Sequence, residues 1–330
     1  MDIADLLALS VNHGASDLHL SAGVVPMLRI DGDMQRCDLP VLEAGQVRGL
    51  VQSVMSEAQR RGFEAQLEAD FAYALPGLGR FRVNVFEQQR GPGAVFRRIA
   101  ETVPSLESLG LGDVFSQLCQ APHGLVLVTG ATGSGKTTTL AAMIDHLNRT
   151  RQRHILTLED PIEFIHPPCL SLISQREVHR HTHSFAAALR SAMREDPDVI
   201  MLGEMRDLDT IRLALTAAET GHLVFATLHT SSAAKTIDRM VDVFPSDEKA
   251  MVRALLSESL LAVVSQTLVK KAGGGRVAAH EIMLATPAIR HLIRENKVAQ
   301  MVSAIQTGAA VGMQTLEMGL NRLREQGLTQ

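Results

Sequence analysis

The chain is poor in aromatic residues, with no tryptophan, one tyrosine and ten phenylalanines among 330 residues. Its cores must come from Leu, Val, Ile, Ala and Met, and an apolar content of 45% supplies enough of them. Cysteine is scarce too. Cys37, Cys119 and Cys169 lie far apart and form no Cys-x-x-Cys pair, which excludes a four-cysteine zinc site and argues against a disulfide framework. A basic excess is missing: 32 Lys and Arg against 36 Asp and Glu leave a net charge of −4. A protein held to nucleic acid mainly by charge would show the opposite sign. No apolar run reaches the ~18 residues a membrane span needs. The N-terminus carries Asp2 and Asp5 where a secretory leader would be basic. These absences predict a cytoplasmic protein that meets a membrane only through partners.

The length suits two domains. In residues 1–100, 2–12 and 46–66 have helical patterning, while 16–20, 27–30, 70–75, 80–88 and 94–99 read as strands. Asp31-Gly32 reads as a hairpin turn, because that pair tolerates positive φ. The expectation is a small α+β domain with an antiparallel sheet. Residues 101–111, with Pro104 and Gly110, read as a linker. In 112–330 the strands become continuous apolar runs, at 125–129, 154–158, 199–202 and 223–228. Helices lie between and after them, including 136 onward, 184–194, 208–219 and 246–264. Such alternation predicts α/β architecture with a mainly parallel sheet. Three glycines at 273–275 precede a further strand at 276–283, and 287–328 form a helical tail.

Gly130-Ala-Thr-Gly-Ser-Gly-Lys136-Thr137 fits the phosphate-loop pattern G-x-x-x-x-G-K-[ST], with a buried strand before it and a helix after it. Glycines let backbone N–H groups converge on phosphate oxygens, and the helix N-terminus adds partial positive charge. The expected nucleotide contacts are Gly130, Thr132, Gly133, Ser134, Gly135, Lys136, Thr137 and Thr138. Lys136 would reach the β/γ-phosphates, and the Thr137 hydroxyl would face Mg²⁺. The cofactors expected are therefore ATP and Mg²⁺.

Hydrolysis needs a group that orients water near the metal. The strand at 199–202 leads into Gly203 and Glu204, and ligands sit at the C-terminal edge of such strands. Where such strands commonly end in Asp, this one has Gly203. Glu204 is therefore the candidate catalytic carboxylate and a candidate metal contact, with Glu159 and Glu163 as a second acidic group. His222 and His229 bracket the strand 223–228, and each is a candidate γ-phosphate sensor or a structural histidine. His179, His181 and His183 alternate as metal ligands can. Without a fourth ligand they read as a solvated polar loop. In the first domain Arg82 and Arg97 are candidates for charge stabilisation in trans, since an arginine from a neighbour in a ring can speed phosphoryl transfer about 10³–10⁵-fold.

The runs GATGSGKTTTLAAM, ILTLEDPIEF, REDPDVIMLGEMRD and TGHLVFATLHTSSAAKTIDRMVDVFP resemble the Walker A, Asp-box, Walker B and His-box segments of the secretion ATPases. The likeness spans the whole chain, including SDLHL near the start and RFRVNVFEQQRG. Residues 288–295, AIRHLIRE, resemble the tail segment of the branch that retracts type IV pili for twitching motility. The resemblance implies a PAS-like N-terminal domain followed by a RecA-like ATPase domain with the helical tail. It implies a homohexameric motor peripheral to the inner membrane, working on a pilus platform protein and alongside a paralogous retraction ATPase. It assigns catalysis to Glu204, with support from Glu163, His222 and His229. The tail residues Ala288, Ile289, Arg290, Leu292, Ile293, Arg294 and Glu295 would serve retraction and not hydrolysis. Ile289, Leu292 and Ile293 share one helical face, which suits docking or core packing. The alternatives are a pilus-assembly or type II secretion ATPase, a nucleic-acid translocase and a nucleotide-gated scaffold. The small first domain and the missing cysteine pairs disfavour the first of these.

Overall fold

A computed structural model describes residues 2–30, 32–99 and 102–329. The chain divides into two compact units, Met1–Thr102 with Glu163–Ile165, and Val103–Ile162 with His166–Gln330.

The first unit contains α1 Ile3–Asn12, β1 Asp17–Ser21, β2 Met27–Ile30, β3 Asp33–Arg36, α2 Ala44–Ser53, α3 Glu57–Gln66, β4 Glu68–Leu75, β5 Gly79–Gln88 and β6 Gly91–Ile99. The strands form an antiparallel sheet in the order β3-β2-β1-β6-β5-β4. Leu6, Leu7, Val47 and Val51 of the helices pack with Leu18, Phe81, Val83 and Phe96 of the sheet. Asp31 of the expected hairpin turn lies outside the described residues; Gly32 beside it has φ 98°. The single helix expected over 46–66 is two helices. The first ends at Ser53 and Ser56 caps the second, with the Gln59 amide N–H donating to its hydroxyl and its own N–H donating to the Gln59 side chain. This reciprocal pair is a capping box, a helix start signal buried within a helical composition.

The second unit contains α4 Asp113–Cys119, β7 Gly124–Thr129, α5 Lys136–Thr150, β8 His154–Glu159, β9 Leu172–Glu177, α6 Phe185–Ala192, β10 Val199–Leu202, α7 Leu208–Glu219, β11 Leu223–Leu228, α8 Ala233–Asp242, α9 Lys249–Ser259, β12 Leu260–Lys270, β13 Arg276–Leu284, α10 Pro287–Arg294, α11 Met301–Thr307 and α12 Leu316–Glu325. Its sheet has the order β13-β12-β7-β11-β10-β8-β9, parallel except for β13. Every residue of β7, β10 and β11 is buried, because helices pack on both faces of the sheet. The helix expected over 246–264 ends at Ser259, and the chain continues as β12 beside β7. An apolar run such as Leu-Leu-Ala-Val-Val has no period that separates strand from buried helix. Among the described residues no helix is long and apolar enough to cross a membrane.

Two histidines of this unit are buried, and burial pushes the pKa of each down to about 4; for His166 the charge of Asp145 offsets this only in part. Both stay neutral where an exposed histidine, at 6.5, would take a proton. The unfolded chain therefore binds more protons between those values, and stability falls as pH drops through that window. The expected cost is on the order of 2–3 kcal/mol per histidine by pH 4. Urea unfolding at pH 7 and pH 5 measures the slope, and His166→Phe should flatten it. An unaltered slope would remove His166 as a source.

Candidate nucleotide site

The parallel register brings the C-terminal ends of β7, β11, β10 and β8 to one edge of the sheet. At this edge β7 runs into the phosphate loop. Gly130, Gly133 and Gly135 all have positive φ, at 144°, 76° and 87°. A Cβ on Gly130 would lie 2.3 Å from the Gln266 carbonyl oxygen, so the loop base fits tightly against β12. A Cβ on Gly133 would meet nothing within 4 Å, so the loop's crown borders open space. The Lys136 ammonium is buried and donates to the carbonyls of Gly130 at 2.8 Å and Ala131 at 3.0 Å. Thr132 is exposed on the loop, while Thr137 and Thr138 are half-buried on the first turn of α5.

The buried hydroxyls of Thr129 and Ser134 have no hydrogen-bond partner among the described residues. Orphaned donors, open space over Gly133 and the start of a 15-residue helix together fit a phosphate group. No group of three or more His, Cys, Asp or Glu among the described residues could hold a metal. Mg²⁺ here would be held by the Thr137 hydroxyl and by phosphate oxygens, where it would neutralise charge on the phosphates.

Glu204 follows β10 at the same edge. Arg206 donates to its Oε1 at 2.6 Å, and His229 Nε2 lies 3.0 Å from the same oxygen. Partial burial opposes its charge. The hydrogen bond and charge of Arg206, followed by His229 and Lys136, outweigh that and hold its carboxyl below the usual glutamate value. The glycine before it has a steric reason. A Cβ on Gly203 would lie 3.2 Å from the Leu158 carbonyl oxygen and 3.4 Å from the Glu159 Cα. A side chain here presses on β8, so the carboxylate sits one residue further on. Thr227 of β11 donates its hydroxyl to the Gly203 carbonyl and accepts the Met205 N–H on its own carbonyl, which pins this turn.

The other candidates fall in several places. Glu159 is buried at the end of β8 and accepts from Thr157 Oγ1 at 2.6 Å and Gln175 Nε2 at 3.2 Å. Glu163 belongs to the short segment grouped with the first unit. His229 is at the loop edge, but His222 is not. The His222 carbonyl accepts from Gly124 at the start of β7, and its Nδ1 donates to the Ala217 carbonyl at 3.0 Å. A six-residue strand of about 20 Å separates the two histidines. His222 therefore stands at the far end of β11 from this chain's own phosphate loop.

Arg82 and Arg97 are directly opposite one another on β5 and β6. Arg82 pairs with Asp70 at 2.6 Å, and Arg97 with the buried Asp17 at 2.8 Å. His181 accepts the Glu177 N–H on its Nδ1, and neither it nor His179 and His183 belongs to a metal-binding group among the described residues.

Of the two roles open to the apolar face of the tail helix, core packing is the one found. Ile289 and Ile293 of α10 are fully buried in the core and Leu292 packs against it. Arg290 donates to the carbonyls of Ser257 and Glu258, and Arg294 to the Glu258 carboxylate at 2.8 Å. The apolar stripe packs inward, leaving Ala288, His291, Arg294 and Glu295 exposed. Two residues at the site escaped the sequence reading. Arg206 had a signal, being a cation two residues after the candidate carboxylate. Gln266 had none.

A family model described as type II/IV secretion system protein matches residues 3–274. The chain is 66% identical over 328 residues to the type IV pilus retractation ATPase PilT of Pseudomonas aeruginosa, covering 99% of this chain and 95% of that one. It is 60% identical over 304 residues to a twitching motility protein of Neisseria gonorrhoeae, covering 92% and 81%. Among solved structures it resembles the crystal structure of the pilus retraction motor PilT with bound ADP. The TM-score is 0.92 at 47% identity, over 100% of this chain and 95% of that one.

Proposed function

The chain belongs to the type II/IV secretion system protein family, and from that premise we propose that it is an ATP-hydrolysing motor that retracts type IV pili. The observation that carries the reading is the Glu204 carboxylate, held ionised by Arg206 and His229 at the sheet edge that bears the phosphate loop. The loop amides and Lys136 bind the phosphates, and the Thr137 hydroxyl would hold Mg²⁺, which would neutralise phosphate charge. Glu204 orients the attacking water and accepts its proton as the γ-phosphoryl leaves. His229 fixes the carboxylate and stands where it can respond to that phosphate. The first unit is the PAS-like domain and the second the RecA-like ATPase domain. The chain works as a homohexamer against a platform protein at the cytoplasmic face of the inner membrane, alongside a paralogous ATPase. The exposed face of α10, with His291, Arg294 and Glu295, serves retraction without touching the chemistry.

Deletion of the gene in its host tests this reading. The expected result is abundant surface pili with no twitching, restored by the wild-type chain and not by Lys136→Ala. Loss of surface pili would overturn it and indicate an assembly motor.

A further inference from the structure

The floor of the phosphate loop is a side-chain network with one residue at its centre. Gln266 lies in the middle of β12 and is buried. Its Nε2 donates to the Ser134 carbonyl at 2.6 Å, inside the loop. Its Oε1 accepts from Thr139 Oγ1 of α5 at 2.7 Å and lies 3.1 Å from His280 Nε2 of β13. A carbonyl can only accept, so the Ser134 contact fixes which end of the amide is nitrogen. It follows that Oε1 is the acceptor for both Thr139 and His280, and that His280 carries its proton on Nε2.

Close packing adds to this hold. The Gln266 backbone carbonyl lies against Gly130 and its side-chain amide against Gly135, so that a Cβ on either glycine would clash. One residue therefore touches the first glycine of the loop, its last glycine and the serine before the latter. Behind it, His280 packs edge-on against Phe115 with ring centroids 5.4 Å apart, and Gln314 donates to its backbone carbonyl at 2.8 Å. Burial keeps His280 neutral above a pKa of about 4, so above that pH it remains a one-proton donor to Gln266.

We propose that Gln266 is the positioning residue of the phosphate loop, oriented by His280, and that it sets nucleotide affinity. Its amide holds the Ser134 carbonyl away from the crown, which leaves the neighbouring N–H groups turned toward phosphate. Without the amide, the Ser134 carbonyl is a buried acceptor with no donor, and the loop relaxes to find one. This rests on reading residues 130–137 as the nucleotide site.

The test is ADP binding by the full-length wild type, Gln266→Leu, His280→Phe and the double variant, together with steady-state ATPase kinetics. Gln266→Leu should weaken ADP about 10-fold or more and raise KM for ATP in step, with kcat at saturation changed less than about threefold. His280→Phe should weaken ADP about threefold, and the double variant should bind no worse than Gln266→Leu alone, because His280 acts only through Gln266. ADP binding by Gln266→Leu within twofold of wild type would overturn the proposal, as would additive losses. If Gln266→Leu does not fold, His280→Phe and Thr139→Val carry the test: weakened ADP binding by both supports the proposal and wild-type binding by both overturns it. A wild-type chain that binds no ADP would refute the nucleotide reading beneath it.

Discussion

Glu204→Gln is expected to lower kcat by roughly 10²–10⁴-fold while ADP binding stays within about threefold of wild type. The amide has the size of the carboxylate and can still accept from Arg206, so the turn pinned by Thr227 should keep its shape. What it lacks is the charge. Glu204 has Arg206 at 2.6 Å and His229 at 3.0 Å on one oxygen, and these partners keep it ionised and able to take a proton. With Glu204 as the base, the direction of its pKa would also set the acid limb of the rate. A carboxyl held below the usual glutamate value loses its charge, and the enzyme its base, only as pH falls past that lowered value. Single-turnover ATPase with bound-nucleotide controls makes the measurement. An unchanged kcat would transfer the catalytic role to another carboxylate.

Arg82→Ala is expected to reduce ATPase by about 10³-fold or more, and mixing it with Lys136→Ala should restore part of the lost activity. On the trans reading each variant alone would lack one half of the site. With Arg82 acting in trans, a mixed ring would contain sites with an intact phosphate loop from one chain and an intact Arg82 from its neighbour. The Arg82–Asp70 pair is about one-third exposed on both sides, and such surface pairs contribute about 0–1 kcal/mol to stability. A large rate loss with unchanged urea unfolding thus separates trans catalysis from a structural role. Arg97 is a poorer probe, because it neutralises the buried Asp17, and its removal leaves a buried carboxylate without a cation. No activity at any mixing ratio would end the trans proposal for Arg82.

The sequence was most legible where local chemistry is self-sufficient. The strands at 199–202 and 223–228 and the helix at 208–219 fall on the residues expected, because short apolar runs bounded by polar turns leave little choice. The phosphate loop is legible for a related reason, since its glycines and lysine carry their function in consecutive positions. Features that depend on distant partners were hidden. Nothing between Ser259 and Leu260 breaks a helix; pairing with β7 turns the chain into a strand there. The Ile289 face of α10 is amphipathic in either role, and only packing decides that it points inward. His222 and His229 flank one strand symmetrically, and only the strand's direction shows that one of them is far from the loop. Gln266 is a lone amide in an apolar run whose partner stands 132 residues away in the chain.

That last separation has a consequence for how the protein is born. A ribosome adding about 5–20 residues per second finishes Gln266 roughly 7–26 seconds after Ser134. Throughout that interval the nascent chain carries the complete GATGSGKT motif without the strand that shapes its floor. A chain released before Leu260 would display the signature of a nucleotide-binding protein without the residue proposed to position its loop. On that proposal, full nucleotide affinity is acquired late in synthesis, when the C-terminal strands close over a motif made long before.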